Sequence, residues 1–220
     1  MNPEFSNPNE LNFKFYPLLF LIIVVSFILF TIVGTISHEY GHIIVANKLG
    51  YQTKLHYGST SWFKSYNPNE STQKRQIDNF YITLGGPIQT ISVGILGLII
   101  VLIRKNRIRQ NQKLKLIDWA GIFLALFWLR ELFNLTLSVI SGSFQRGGTR
   151  LDEAKISLCL NLPIETMPII LGTIGLLIGC YIVFRIIPKN IRLTFILGGL
   201  VGGISGFVFW LYYLGPNILP

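Results

Sequence analysis

Five long apolar stretches limit what this chain can fold into. Pro17 to Ile36, Phe80 to Ile103, Thr166 to Phe184 and Leu193 to Leu214 contain no charged residue, and each approaches the ~20 residues that cross a bilayer as a helix. A fifth, Ile117 to Ile140, is as long but holds Asp118 near one end and the pair Arg130 and Glu131 near its middle. With 50% of residues hydrophobic and 13% charged, a soluble domain of this length could not bury such stretches. The sequence therefore predicts an all-α polytopic membrane protein with about five transmembrane helices: a multi-pass integral protein whose first partner is the lipid bilayer.

The net charge of +9 raises the question of nucleic acid. The cations, however, gather between the apolar runs, as in Arg104, Lys105, Arg107, Arg109, Lys113 and Lys115, where lipid headgroups are the simpler counterion. No nucleic acid is expected. Cys159 lies outside an apolar run and Cys180 inside one, which gives no reason to pair them. One lysine, Lys14, precedes the first run, and no small-residue cleavage site follows it. That run reads as a retained span.

Three regions follow: a polar tail at 1–16, a membrane-embedded core at 17–165 with a surface loop at 51–79, and two further transmembrane helices at 166–220. A helix continuing from Pro17 to Leu49 would measure about 50 Å, longer than the hydrocarbon layer. It either leaves the membrane or breaks near Gly34, and Gly50 is its stop. Residues 51–66 alternate aromatic or β-branched with polar side chains around Gly58 and Ser59, the pattern of a small β-hairpin or loop. Asn67 to Asn79 is polar and reads as a surface segment, with an interfacial helix as the alternative.

The chemistry is carried by His38-Glu39-Tyr40-Gly41-His42, an H-E-x-x-H sequence. Residues i and i+4 of a helix share a face, so two imidazoles can grip one metal ion while the intervening glutamate addresses bound water. With three His and seven Glu in 220 residues, chance yields this pattern about once in a thousand such chains. Two histidines and a glutamate at the end of an apolar helix are also costly to bury without a compensating ion. Zinc suits imidazole and carboxylate donors, with three protein ligands leaving one position for water. The expected reaction is peptide-bond hydrolysis, with Glu39 taking the proton of a zinc-bound water and passing it to the leaving amine. The remaining histidine, His56, reads as an ordinary loop residue.

Three features in order make the chain similar to the site-2 protease (M50) family of intramembrane zinc metalloproteases. The first is His38 to His42, with Gly41 giving the H-E-x-G-H form. The second is Leu84-Gly85-Gly86-Pro87-Ile88-Gln89-Thr90, similar to the Gly-Pro motif opening the family's next span, and the third is the acidic pair in Thr149-Arg150-Leu151-Asp152-Glu153-Ala154-Lys155-Ile156. The resemblance covers roughly residues 20–165. It implies Asp152 as third metal ligand, with Glu153 and Glu131 as alternatives, and Gly86 and Pro87 near the substrate. The chain departs from the family at Gln89-Thr90, where an Asn is common, and at Asp152-Glu153, where Asp-Gly is usual. In a serpentine topology all three motifs lie toward one membrane face.

Each assignment has a plainer counterpart. Asp152 could cap a helix, with Lys155 on the solvated face. Gly85-Gly86-Pro87 could be a packing kink, and Arg130 and Glu131 could bridge to other helices. The resemblance implies a membrane protein or peptide as substrate, cut in or near a transmembrane segment. The 51–66 hairpin could lend a strand edge to it or anchor at the surface through Trp62 and Phe63. The glycine-rich run from Gly198 to Gly206 suits homo-oligomerisation and ordinary helix packing alike. Eight cations on the motif side against ten opposite leave orientation undetermined. The rival functions are a zinc protease using Glu131 or Glu153 as ligand, and a non-catalytic metal-binding membrane protein acting as a regulatory or binding partner.

Overall fold

The computed structural model describes residues 15–64, 71–110, 114–142, 144 and 151–220. The tail assigned to 1–16 lies outside them except for its last two residues, as do Lys113, Thr149 and Arg150.

Helix α1 (Pro17–Lys48) opens on a proline in its first turn, where a missing backbone donor costs nothing. It runs unbroken through Gly34 into the motif, so the alternative of a break there is not realised. Beyond Leu49, Gly50 takes a φ of +81°. Its N–H donates to the Asn47 carbonyl and the Tyr51 N–H to that of Ala46, a paired closure that glycine permits and that reverses the chain.

The reversal delivers a hairpin. Strands β1 (Gln52–His56) and β2 (Ser59–Phe63) pair antiparallel, with Gln52 opposite Phe63 and His56 opposite Ser59, around the turn at Tyr57 and Gly58. Thr60 is buried against α1. Helix α2 (Thr72–Arg109) starts at Ser71, whose side chain accepts the Lys74 N–H at 3.2 Å. Residues 72–79 are therefore helical, which realises the helical alternative in place of the surface loop, while residues 65–70 of that loop lie outside the described residues. Their polar side chains tie the hairpin down: Tyr51 donates to Asp78 at 3.2 Å and Trp62 Nε1 to Asn79 Oδ1 at 3.0 Å.

A third rod is built from α3 (Leu116–Ala125), a 3-10 turn (Leu126–Trp128) and α4 (Leu129–Ile140). The short α5 (Asp152–Cys159) precedes α6 (Thr166–Tyr181), which continues as a π-helical turn to Ile186. Helix α7 (Lys189–Val208) passes through a π-helical segment (Phe209–Leu214) into α8 (Gly215–Ile218). Five helical rods are long and apolar enough to cross a membrane: Pro17–Lys48, Thr72–Arg109, Leu116–Ile140, Thr166–Ile186 and Lys189–Ile218. With the two-stranded sheet, these match the helix count and the hairpin that the sequence predicts.

The apolar core, including Ile23, Val101, Ile122, Ile186 and Phe195, lies toward the end of the bundle remote from the motif. Gly198, Gly202 and Gly206 recur every four residues on α7, and Cβ atoms there would meet Ile23, Val24 and Ile28 of α1. This stripe is used within the chain, where bare backbone lets two helices approach closely.

Asp118 is fully buried, bonded to Arg104 and to the Lys115 N–H at 2.7 Å, with Arg107 Nε at 3.5 Å. This knot ties the end of α2 to the start of α3. Asp118→Ala leaves two arginines without their shared counterion and is expected to destabilise the fold by about 3 kcal/mol. Thermal unfolding in detergent checks it.

Candidate metal centre

The motif occupies the C-terminal third of α1, where helical spacing stacks His38 and His42 on one face, their ring centroids 5.0 Å apart. His38, Glu39 and His42 are only 1%, 4% and 3% exposed. Each imidazole is fixed through its Nδ1. That of His42 lies 2.7 Å from the Ile82 carbonyl, and that of His38 lies 2.9 Å from Thr90 Oγ1. Both partners come from α2, so this helix sets the rotation of both rings.

The Nε2 atoms then point to one place. Asp152 Oδ2 lies 3.2 Å from His38 Nε2 and 3.0 Å from His42 Nε2, and the three donor atoms fall within 4.8 Å of one another. Asp152 is the first residue of α5. Leu151 holds the N-cap position without a side-chain bond, so Asp152 is not the helix cap. Its other oxygen accepts from Lys155 Nζ at 3.1 Å, which brings Lys155 to the site instead of leaving it on a purely solvated face. Burial works to raise the Asp152 carboxyl. Hydrogen bonds from both histidines, together with the charges of His42 and Lys155, outweigh it and hold the group well below the ordinary carboxylate range.

The donor set invites a cation on electrostatic grounds. The Ile82 carbonyl can only accept, so His42 carries a proton on Nδ1 and its Nε2 is the atom turned to the Asp152 carboxylate, where a metal ion would take the place of a bridging proton. At 3.2 and 3.0 Å from Asp152 Oδ2, each Nε2 needs either a proton or a metal ion between it and the carboxylate. Two imidazoles and one carboxylate are donors that zinc accepts, and each histidine has the outer hydrogen bond that orients metal-ligating imidazoles. The residues fit a metal.

Glycine makes room for this geometry. Cβ atoms on Gly41 and Gly85 would run into each other's backbone across the α1–α2 contact, and one on Gly86 would collide with the Nε2 atoms of both histidines. The Gly-Gly-Pro segment is therefore the close approach of backbone to the metal-binding helix. Pro87 stands inside a continuous helix and leaves the Thr83 carbonyl without its intrahelical donor.

Glu39 is held from the hairpin. Thr60 Oγ1 lies 3.0 Å from Glu39 Oε2 and 3.2 Å from its backbone carbonyl. The Trp62 ring stands 6.3 Å from that of His42, inclined by 27°. The other acidic candidates, Glu131 and Glu153, are each 2% exposed and neighbour one another, but the cluster of converging donors among the described residues contains neither. His56 is also elsewhere, bonded to the Pro220 carbonyl and to Ser61.

The sequence reading missed Thr60, the Ile82 carbonyl and the role of Thr90. A backbone carbonyl carries no residue-type signal. The inward phase of Thr60 on an alternating strand was the one available hint. No family model, curated protein or solved structure matches the chain, so the reading of this site rests on the convergence of His38, His42 and Asp152 beside Glu39.

Proposed function

We propose that the chain is a membrane-embedded zinc metalloprotease of the site-2 protease kind, cutting peptide bonds in or near transmembrane segments. The observation that carries this reading is the meeting of Asp152 with His38 and His42 across more than a hundred residues of sequence, beside a buried glutamate in an H-E-x-x-H helix. Membrane insertion is supported by α1, where Leu18, Leu21, Val25, Leu29 and Val33 all face outward. Such a face suits acyl chains and is unsuited to water.

His38, His42 and Asp152 would hold the zinc. When bound it supplies a Lewis acid that polarises the scissile carbonyl and lowers the pKa of water to about 7. Glu39 accepts the proton of the attacking water and returns it to the amine that leaves. The Ile82 carbonyl keeps His42 in the ligating tautomer, and Thr90 orients the His38 ring. Gly86 keeps side-chain bulk away from the reacting atoms. The substrate segment must be unwound, because a helical peptide bond is shielded by its neighbours.

Co-expression with a panel of tagged single-span membrane proteins tests the activity. Wild type is expected to release a fragment from at least one of them, and the release should stop when zinc is chelated. A panel left intact by zinc-loaded wild type in vesicles would count against a protease. The orienting role of Thr90 has its own test. Thr90→Val removes the His38 partner without changing side-chain volume, and zinc affinity should fall about 10- to 100-fold in a chelator competition titration.

A further inference from the structure

The α7–α8 end of the chain grips the hairpin turn through a run of hydrogen bonds, and the backbone of β2 leads from that turn to the residue that bonds Glu39. Trp210, 2% exposed, donates its Nε1–H to the Tyr57 carbonyl at 2.7 Å. The Tyr57 N–H donates in turn to the Leu219 carbonyl at 2.9 Å, and His56 Nδ1 lies 2.7 Å from the Pro220 carbonyl. Gly215 packs so closely on Tyr57 that a Cβ would meet its ring. Both ends of the hairpin turn are thus held by one short segment. Three residues beyond Tyr57, on the inward face of β2, Thr60 makes its bond to Glu39.

We propose that Thr60 is the positioning residue for Glu39, and that the α7–α8 segment keeps it in register by clamping the hairpin turn. The inference rests on the protease reading for its catalytic consequence and on geometry alone for the clamp. A glutamate side chain has three rotatable bonds, and a general base must stand within hydrogen-bond reach of the proton it takes. The Thr60 hydroxyl, 9% exposed at the residue level, removes that freedom from one side. It fixes one carboxylate oxygen and leaves the other for water. The hairpin has only two strands and no core of its own, so it cannot hold Thr60 to this position unaided. Its anchors are the contacts to Asp78 and Asn79 at one end and the α7–α8 segment at the turn.

The test uses the full chain in lipid vesicles with four proteins: wild type, Thr60→Val, Thr60→Ser and Trp210→Phe. Turnover of a cleaved single-span reporter and amide hydrogen exchange over residues 52–63 are both read. Thr60→Val should lower kcat about ten-fold, the scale of one hydrogen bond, with KM little changed, and Thr60→Ser should restore most of it. Trp210→Phe keeps an aromatic, though smaller, side chain and loses the donor; it should raise exchange in the hairpin and lower kcat in parallel, while zinc content holds. Unchanged kcat in Thr60→Val, or unchanged exchange in Trp210→Phe, overturns the proposal. Should wild type cleave nothing, exchange still decides. A hairpin loosened by both Thr60→Val and Trp210→Phe upholds the hydrogen-bond run while the protease reading fails, and an unmoved hairpin refutes the run itself.

Discussion

Glu39→Gln is expected to abolish proteolysis while leaving the protein folded and its zinc in place. The substitution keeps the size of the side chain and an acceptor for the Thr60 hydroxyl 3.0 Å away, and it touches none of the three converging donors. What it removes is a base. Losing a positioned general base costs about 10²- to 10⁴-fold, so cleavage of a membrane-embedded reporter should fall by at least the lower figure. Zinc content, measured on the same preparation, should match wild type. His38→Ala, by contrast, should lose both together, because it removes a ligand. This pair of results separates a metal that performs chemistry from one that only braces the fold.

Gly86→Ala is expected to be nearly as damaging, for a steric reason. An added Cβ would meet the Nε2 atoms of both histidines. Neither ring can swing away cheaply, since His42 Nδ1 is held by the Ile82 carbonyl at 2.7 Å and His38 Nδ1 by Thr90 at 2.9 Å. The helix must shift or the ligand face must open, and zinc affinity should drop more than about 100-fold, beyond the loss of a single orienting bond. Gly203 supplies the control. A Cβ there meets nothing within 4 Å, so Gly203→Ala should keep zinc and activity and gain up to about 1 kcal/mol from helix propensity. Zinc titrations of both variants check the contrast. Loss of metal in Gly86→Ala alone is the expected pattern, and equal affinities in the two would remove Gly86 from the site.

The parts of this architecture visible in the sequence are those governed by local or one-dimensional rules. Apolar runs mark the helical rods because length and hydropathy suffice to identify them. The His38–His42 face follows from helical periodicity, and Gly50 ends α1 because a positive φ favours glycine. Asp152 was reached through its likeness to a family pattern, and the competing idea of a helix cap could be discarded only once Leu151 was seen in the capping position. The start of α2 is ambiguous in the sequence because its polar residues suit a surface loop and an interfacial helix alike, and the roles of Asp78 and Asn79 as anchors for Tyr51 and Trp62 carry no local signal. Glu131 and Glu153 could not be sorted from Asp152 by residue type. Glu131 and Glu153 are the more deeply buried of the three, and only the direction of its side chain sets Asp152 among the converging donors. The bonds from Thr60 to Glu39 and from Trp210 to Tyr57 span 21 and 153 residues, and no periodicity reports on contacts of that range.

The measurement that bears most directly on the proposed centre is the zinc content of purified wild type and Asp152→Ala, prepared without chelators and reloaded with zinc before desalting. The proposed site predicts about one zinc per chain in wild type and a marked loss in Asp152→Ala, because two imidazoles on one helix face hold zinc poorly without a third donor. Equal zinc in the two proteins would remove Asp152 from the ligand set, and wild type without zinc after reloading would contradict the metal centre altogether.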